Sequence, residues 1–210
     1  MTRLVLQKKN KQRVNVHLDG EFAFGLAKVL AAQLHVGDHL DAETIVELRQ
    51  KDSVEEARKR ALRLIARRPR SEKELRRYFD RREIPPSVQD EALDRLRRAG
   101  LVDDRAFAET WVENRMAFRP RGALALRHEL RQKGVNRGAI ESALENFDEE
   151  HAALKAGRKA ARRYQDLSWE AFRQRVGGYL GRRGFRYSMI SSVVERVWGE
   201  ITEDESEVSE

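Results

Sequence analysis

The residues whose types and spacing could support catalysis or metal binding are few in this 210-residue chain. His35 and His39 have the spacing of a metal-binding pair on a helix, but the residues between them, Val36-Gly37-Asp38, are typical of a turn. Asp103 and Asp104 could form a carboxylate pair, yet they precede an apolar helical segment, where carboxylates cap the first turn. Walker, dinucleotide-binding, HExxH and serine-elbow motifs are absent from the sequence. We therefore expect no enzyme, no metal site and no cofactor.

Arginine is the residue type whose number and grouping could form a binding surface. The chain has 42 lysines and arginines against 35 acidic residues and a formal net charge of +7, which favours acidic partners. Residues 53–102 carry 15 basic and 9 acidic side chains, residues 151–200 carry 11 and 4, and residues 103–150 carry 8 and 10. Guanidinium groups bind phosphates and carboxylates in a bidentate manner. The distribution predicts two basic surfaces separated by a near-neutral centre.

Most of the candidate binding residues lie near the predicted turns between helices in the two basic regions. For any one of them the alternative is an ordinary solvated position or an ion pair within a helix, whereas the distribution as a whole favours binding. The candidates for partner or DNA binding are Arg63, Arg67, Arg68, Arg70, Arg76, Arg77, Arg81, Arg82, Arg119, Arg121, Arg158, Lys159, Arg162, Arg163, Arg182, Arg183 and Arg186.

These residues belong to three copies of one helical pattern. Arg68-Pro69-Arg70 recurs as Arg119-Pro120-Arg121 at an offset of 51 residues, and several apolar positions recur at the same offset. An offset of 50 residues carries Gly134-Val135 to Gly184-Phe185, again with matching apolar positions. Such units bury their apolar stripes by packing within a unit and against neighbouring units. The sequence predicts a mainly α fold of three tandem three-helix repeats, forming an elongated curved module.

The domain boundaries follow from these repeats. The predicted segments are 1–52, a β-hairpin with short helices; 53–102, 103–149 and 150–201, the three repeats; and 202–210, a disordered acidic tail. The predicted repeat helices are 54–67, 71–82, 86–99, 104–117, 120–133, 137–147, 150–164, 168–183 and 187–200. The acidic tail could compete with nucleic acid for the basic faces, and the alternative is a plain solubilising tail.

The first segment has the alternation of a hairpin. Val14 and Val16 alternate with polar residues before Asp19-Gly20, and Phe22 and Phe24 alternate after it. A two-residue loop would place the phenylalanines on the opposite face from the valines. We therefore predict an odd-length loop with a bulge at Gly20, which aligns all four side chains.

Capping residues mark the predicted helix ends. Asp41, Ser53 and Ser71 are predicted N-caps, and Pro120 suits a first helical position. Three glycines are predicted to end helices in the left-handed conformation: Gly100, Gly134 and Gly184. Glu83 stands at the position equivalent to Gly134, so we expect the first repeat to end its helix through Pro85-Pro86 instead.

The cellular location follows from two features of the composition. The chain has no cysteine, which fits a reducing compartment. It also has no apolar run that approaches the ~18 residues of a membrane span. We expect a cytoplasmic protein without membrane association.

Several segments of the repeats resemble the signature of the RecX family. The segments that carry this resemblance are residues 61–64, 68–75, 93–96, 100–108, 130–135 and 182–185. The resemblance covers residues 55–200, about two-thirds of the chain. It is specific because the segments occur in combination, and the hairpin region 1–50 lies outside it.

The resemblance implies three three-helix repeats that lodge in the groove of the RecA recombinase filament. It implies inhibition of strand exchange, ATP hydrolysis and co-protease activity, and thereby a role in DNA repair, recombination and the SOS response. Some family members also bind DNA, and the family has no catalytic residues to carry over. A monomer is the expected state. The alternative is a nucleic-acid-binding helical repeat module that acts without RecA.

Overall fold

A computed structural model describes the backbone of residues 1–207 and the side chains of residues 1–203. This part of the chain contains three strands and ten helices, which confirms the predicted mainly α fold class. The chain divides into two compact units, Met1–Val102 and a second unit that begins at Asp103. None of the described helices is both long and apolar enough to cross a membrane.

The N-terminal strands form one antiparallel sheet. Strands β1 (Arg3–Leu6), β2 (Arg13–Leu18) and β3 (Glu21–Ala27) lie in the order β1-β2-β3. Strands β2 and β3 are the predicted hairpin, and β1 extends it to three strands.

The predicted loop of this hairpin is wrong. Leu18 pairs with Glu21, so the loop has only two residues. Asp19 and Gly20 adopt φ angles of 48° and 89°, as a type I′ turn requires. Aspartate and glycine both tolerate this conformation, so the extra residue does not have to lie in the loop.

The extra residue lies within the strands instead. Val16 pairs with Phe24 and His17 pairs with Phe22, which leaves Ala23 as the bulged residue between them. The bulge returns Phe24 to the buried face beside Val16, while Phe22 remains 60% exposed. The predicted alignment therefore holds for Phe24 and fails for Phe22.

Helix α1 (Lys28–Ala31) is short, and helix α2 (Ala42–Ile65) is long and uninterrupted. Asp41 caps α2 by accepting the backbone N–H of Thr44, as predicted. The predicted break at Ser53 is wrong. The Ser53 hydroxyl donates to the carbonyl of Arg49 at 2.9 Å. Its hydrogen bond is therefore made inside the helix and does not cap a new one.

An ion-pair cluster holds the sheet against α2. Asp52 accepts the N–H of Ala27 and the Nη2 of Arg13, both at 2.7 Å. Arg13 Nη1 also donates to Glu56 at 2.9 Å. The first repeat is thus built on a helix that is shared with the N-terminal sheet.

The remaining helices fall into the three predicted triplets. They are α3 (Glu72–Asp80) and α4 (Pro86–Arg98), which complete the first with α2; α5 (Asp104–Phe118), α6 (Ala123–Gln132) and α7 (Arg137–Leu144); and α8 (Glu149–Ala161), α9 (Trp169–Arg182) and α10 (Tyr187–Glu207). Because α10 continues to Glu207, the predicted disorder is wrong for residues 202–207, and residues 208–210 lie outside the described part. Glutamate is a good helix former, so an acidic composition alone does not end a helix.

Burial confirms the repeat register. Leu75, Leu126 and Val176 occupy the same position in α3, α6 and α9, and all three are fully buried. The equivalent residues one turn later, Phe79 and Leu130, are also fully buried, as is Leu180. Each triplet therefore packs its middle helix through the same face.

After α2, the caps at Ser71 and Asp103 agree with prediction, whereas the start at Pro120 does not. Ser71 accepts the N–H of Glu74, and Asp103 accepts those of Arg105 and Ala106. Pro120 does not open α6, which begins at Ala123. The carboxylate of Glu149 accepts the N–H of Ala123 at 2.8 Å, so a side chain distant in sequence provides the cap.

The helix ends include one residue that contradicts prediction. Gly100, Gly134 and Gly184 have φ angles of 66°, 87° and 80°, as predicted. Glu83 also adopts a positive φ, 54°, and the N–H of Ile84 bonds to the carbonyl of Phe79 at 3.2 Å. The first repeat therefore ends its helix by the same left-handed cap as the others, with a non-glycine residue.

Candidate basic binding surfaces

Two candidate arginines of the first repeat are neutralised by carboxylates. Arg68 donates through both Nη atoms to Glu74 at 2.9 and 3.1 Å. Arg76 bonds to Glu72 and to Asp90 at 2.9 and 2.7 Å. Burial lowers the pKa of Arg76, but the bonds to these carboxylates outweigh it and raise that pKa overall. These two residues contribute structure more than binding capacity.

The other candidate arginines of this repeat, apart from Arg70, face solvent or an aromatic ring. The guanidinium of Arg82 lies 3.8 Å from the centre of the Tyr78 ring, a cation–π contact. Four further candidates are exposed and form no ion pair within the described part of the chain: Arg63, Arg67, Arg77 and Arg81. Together they keep this repeat basic after its internal pairs are counted.

The environment of Arg70 differs from that of the other candidate arginines in the first repeat. Its side chain is half-buried and its Nε atom is shielded from solvent, yet that atom forms no hydrogen bond with any described residue. Burial and the nearby charges of Arg68 and Arg67 lower the pKa of Arg70, against the opposing effect of Glu74. It is a desolvated cation among like charges.

In the second repeat, the carboxylate of Glu129 contacts three nitrogen-bearing side chains. Glu129 lies 2.8 Å from the Nε of Arg121, and it accepts the indole N–H of Trp111 at 2.7 Å and the Nε of Arg115 at 2.8 Å. Arg115 also stacks on the ring of Trp111 at 4.6 Å. Arg121 is thus engaged internally, whereas the candidate Arg119 is exposed.

The third repeat provides one side of an open groove of about 620 Å³. Lys155, Arg158, Lys159 and Arg162 line it from one face of α8 and the turn that follows, at helical spacing. Phe118, at the end of α5, also lines it and is 72% exposed. The groove therefore combines cations with an aromatic ring. Sequence reasoning missed Phe118 and Lys155, although the spacing of Lys155 to the predicted Lys159 could have found the latter.

Helix α10 engages one cation of this groove. Arg158 donates through Nε and Nη2 to Glu200 at 2.8 and 2.7 Å. The bond lowers the pKa of Glu200 and raises that of Arg158. The candidates Arg162 and Arg163 are exposed and form no ion pair among the described residues.

Arg183 joins the second and third repeats. Its guanidinium stacks on Tyr179 at 4.4 Å and donates to the carbonyl of Pro120 at 3.1 Å. Its own backbone carbonyl accepts the N–H of Gly122 at 3.0 Å. Arg183 is therefore part of a repeat interface, while the candidates Arg182 and Arg186 are exposed.

The histidines and aspartates that could do chemistry are not gathered into a site. The described residues contain no group of three histidines, aspartates or glutamates able to hold a metal ion. His35 donates its backbone N–H to the Asp38 carboxylate across a turn, and Asp103 is a helix cap.

The fold and surfaces define a class: a basic protein of tandem three-helix repeats. Comparison with known families agrees, and four RecX models match in order along the chain. The first, second and third three-helix domains of RecX match residues 57–96, 103–144 and 148–194, and the RecX N-terminal domain matches residues 1–41. The N-terminal match corrects our expectation that residues 1–50 lie outside the family.

Individual relatives extend over almost the whole chain. The regulatory protein RecX of Leuconostoc mesenteroides is 32% identical over 99% of this chain and 78% of its own length. That of Bacillus subtilis is 32% identical over 97% and 79%. The chain belongs to the RecX family of regulatory proteins.

Two solved structures share the fold of this chain. A crystal structure of regulatory protein RecX has a TM-score of 0.76 at 28% identity and covers 92% of this chain and 98% of its own. RecX from Lactobacillus salivarius shares the fold, with a TM-score of 0.61 at 21% identity over 70% of this chain and 97% of its own.

Proposed function

We propose that this chain is a non-enzymatic regulator that binds the RecA recombinase filament and inhibits its recombinase, ATPase and co-protease activities. It would thereby limit DNA recombination and repair and the SOS response, as a cytoplasmic monomer. The observation that carries the proposal is the ordered match of all four RecX domains to one chain. The exposed arginines of the first and third repeats support it, because they suit an acidic partner.

The ATPase activity of RecA, with and without this protein, tests the proposal. Substoichiometric amounts of the chain should lower the single-stranded-DNA-dependent ATP hydrolysis of RecA from the same organism. A protein that only competed for DNA would need to cover the strand, so its effect would require amounts comparable to the DNA sites. Unchanged hydrolysis at every ratio would reject the proposal.

The groove beside α8 favours a second candidate function, namely nucleic-acid binding that does not need RecA. Successive bases stack on aromatic rings while cations follow the phosphates in single-strand-binding proteins. In this groove, Phe118 could stack with a base while the cations of α8 contact the phosphates.

Binding of a single-stranded oligonucleotide at several salt concentrations separates the two candidates. Groove binding predicts a steep fall of log affinity with log salt and a loss of about 1–3 kcal/mol for Phe118→Ala. Leu124→Ala is the matched control, because Leu124 is also apolar and 53% exposed but lies on α6 outside the groove. Equal losses for the two variants would remove the groove from consideration.

A further inference from the structure

Two positions in the repeats distinguish the first repeat from the others. One holds Arg70, Arg121 and Ala171 in successive repeats, and the other holds Tyr78, Glu129 and Tyr179. The second repeat has both an arginine and a glutamate, and the third has neither. Only the first repeat has the arginine without the glutamate.

The second repeat shows how the two positions interact. Arg121 Nε lies 2.8 Å from Glu129 Oε1, inside a cluster that also holds Trp111 and Arg115. The Nε atoms of Arg121 and Arg70 are both shielded from solvent and neither forms a hydrogen bond of good geometry with a described residue, but Arg121 has the counter-charge of Glu129 beside it. The repeat scaffold therefore holds the two guanidinium groups in similar surroundings but gives a carboxylate to only one of them.

Among the described residues, the first repeat offers Arg70 no substitute for that carboxylate. Glu74 is the acidic residue that acts on Arg70, and both of its oxygens already accept from Arg68. Arg68 and Arg67 add like charge. A desolvated cation without a counter-charge is unfavourable in a folded protein, and because Arg70 is only half-buried, an anion from outside can supply that charge.

We propose that the Arg67–Arg70 corner is a receptor for a carboxylate of an acidic segment of a partner protein, with Arg70 as its central donor. The carboxylate would occupy the place that Glu129 takes in the second repeat. A side-chain carboxylate is preferred to a phosphate because the scaffold accommodates one at the equivalent position. The site rests on the proposed function insofar as the partner is the recombinase filament, but the recognition chemistry does not depend on it.

Nuclear magnetic resonance of the full chain, labelled with ¹⁵N in arginine, can test the site directly. The Arg70 Nε–H signal is assigned from its loss in Arg70→Lys. A short glutamate-rich peptide should shift this signal, and a single-stranded oligonucleotide of equal charge should need a higher concentration. Movement with the oligonucleotide alone would show a phosphate site and overturn the proposal, as would no movement with the peptide.

A second variant tests the comparison between repeats. Tyr78→Glu places a carboxylate where the second repeat has one, so it should satisfy Arg70 internally and abolish the peptide-induced shift. Circular dichroism checks that this variant is folded. A folded Tyr78→Glu protein that retained the full shift would contradict the proposed geometry.

The ATPase assay links the site to the filament. Arg70→Gln should raise the concentration for half-inhibition about tenfold, and the control Arg105→Gln about twofold at most. Arg105 is exposed and pairs only with Glu109 among the described residues. If the wild-type chain does not inhibit but the Arg70 signal moves with peptide, the proposed function fails and the site stands. If the wild-type chain inhibits and Arg70→Gln behaves as the control, the site is rejected.

Discussion

The contact between the second and third repeats leads to a sharp prediction at Gly122. A Cβ atom on Gly122 would lie 2.2 Å from the carbonyl oxygen of Gly184 and 2.6 Å from the backbone nitrogen of Phe185. Both neighbours are backbone atoms, so no flexible side chain can move aside. Gly122 N–H donates to the carbonyl of Arg183 at 3.0 Å, so moving the two segments apart would weaken this bond.

The cost of Gly122→Ala can be worked from these contacts. Overpacking a tight contact costs about 1–3 kcal/mol, and loss of the backbone hydrogen bond adds about 0.5–1.5 kcal/mol. We therefore expect a destabilisation of about 1.5–4.5 kcal/mol, measured as the free energy of unfolding of the full chain in urea.

Gly199→Ala is the matched control. Gly199 lies inside α10, does not need a positive φ, and has open space where the Cβ atom of an alanine would lie, with nothing within 4 Å. Alanine should stabilise that helix by about 0.5–1 kcal/mol. If Gly122→Ala also left the stability within about 0.5 kcal/mol of the wild type, the described contact between the repeats would be wrong.

Three further predictions concern other positions. Glu83→Gly should raise the free energy of unfolding by about 0.5–1 kcal/mol, because glycine relieves the left-handed φ of 54°; a loss of stability in urea would refute this. Glu55 is buried and bonds twice to Arg58, which lowers its pKa. Its contribution is present above the unfolded value of 4.5 and is lost as pH falls through the lowered folded value. Glu55→Gln should therefore cost about 1–2 kcal/mol at neutral pH, and the gap should close in acid; a gap that is constant with pH would contradict it. Leu130→Ala should cost about 2–5 kcal/mol in the same assay, and a cost under about 0.5 kcal/mol would show that the repeat register is wrong.

The repeat architecture was predictable because it depends on spacing. Apolar positions that recur at fixed offsets define three equivalent faces, and burial of Leu75, Leu126 and Val176 bears this out. The glycine caps were predictable for a similar reason, since glycine adopts positive φ at little cost. Glu83 shows the limit of that reasoning: the packing around a cap can hold a non-glycine residue in the same conformation.

Capping motifs predicted two helix starts wrongly, because other hydrogen bonds replace the predicted caps. Ser53 has the pattern of an N-cap, but its hydroxyl bonds to Arg49 and α2 continues past it. Pro120 has the pattern of a first helical residue, but Glu149 caps α6 from 26 residues away at Ala123. Neither partner can be identified from the adjacent sequence.

The location of the basic regions was predictable from the sequence, but the pairing of each candidate arginine was not. Charge counts locate the basic regions. The structure shows that Arg68, Arg76 and Arg158 form ion pairs with carboxylates of the same chain. Arg183 shows the consequence for experiment. Sequence reasoning treats Arg182 and Arg183 as equivalent surface cations, whereas Arg183 anchors Pro120 and stacks on Tyr179. Charge reversal at Arg183 would disturb the repeat contact, so Arg182 alone can test the surface.

One repeat position determines how an arginine is held in each repeat. Tyr78 and Tyr179 each stack with an arginine four residues later, Arg82 and Arg183. The equivalent residue of the second repeat is Glu129, which engages Arg115 and Arg121 instead. A tyrosine leaves the arginine charge uncompensated, because a ring attracts a cation without cancelling its charge, whereas a glutamate cancels it. The residue at this one position thus decides whether the arginines beside it are compensated within the repeat.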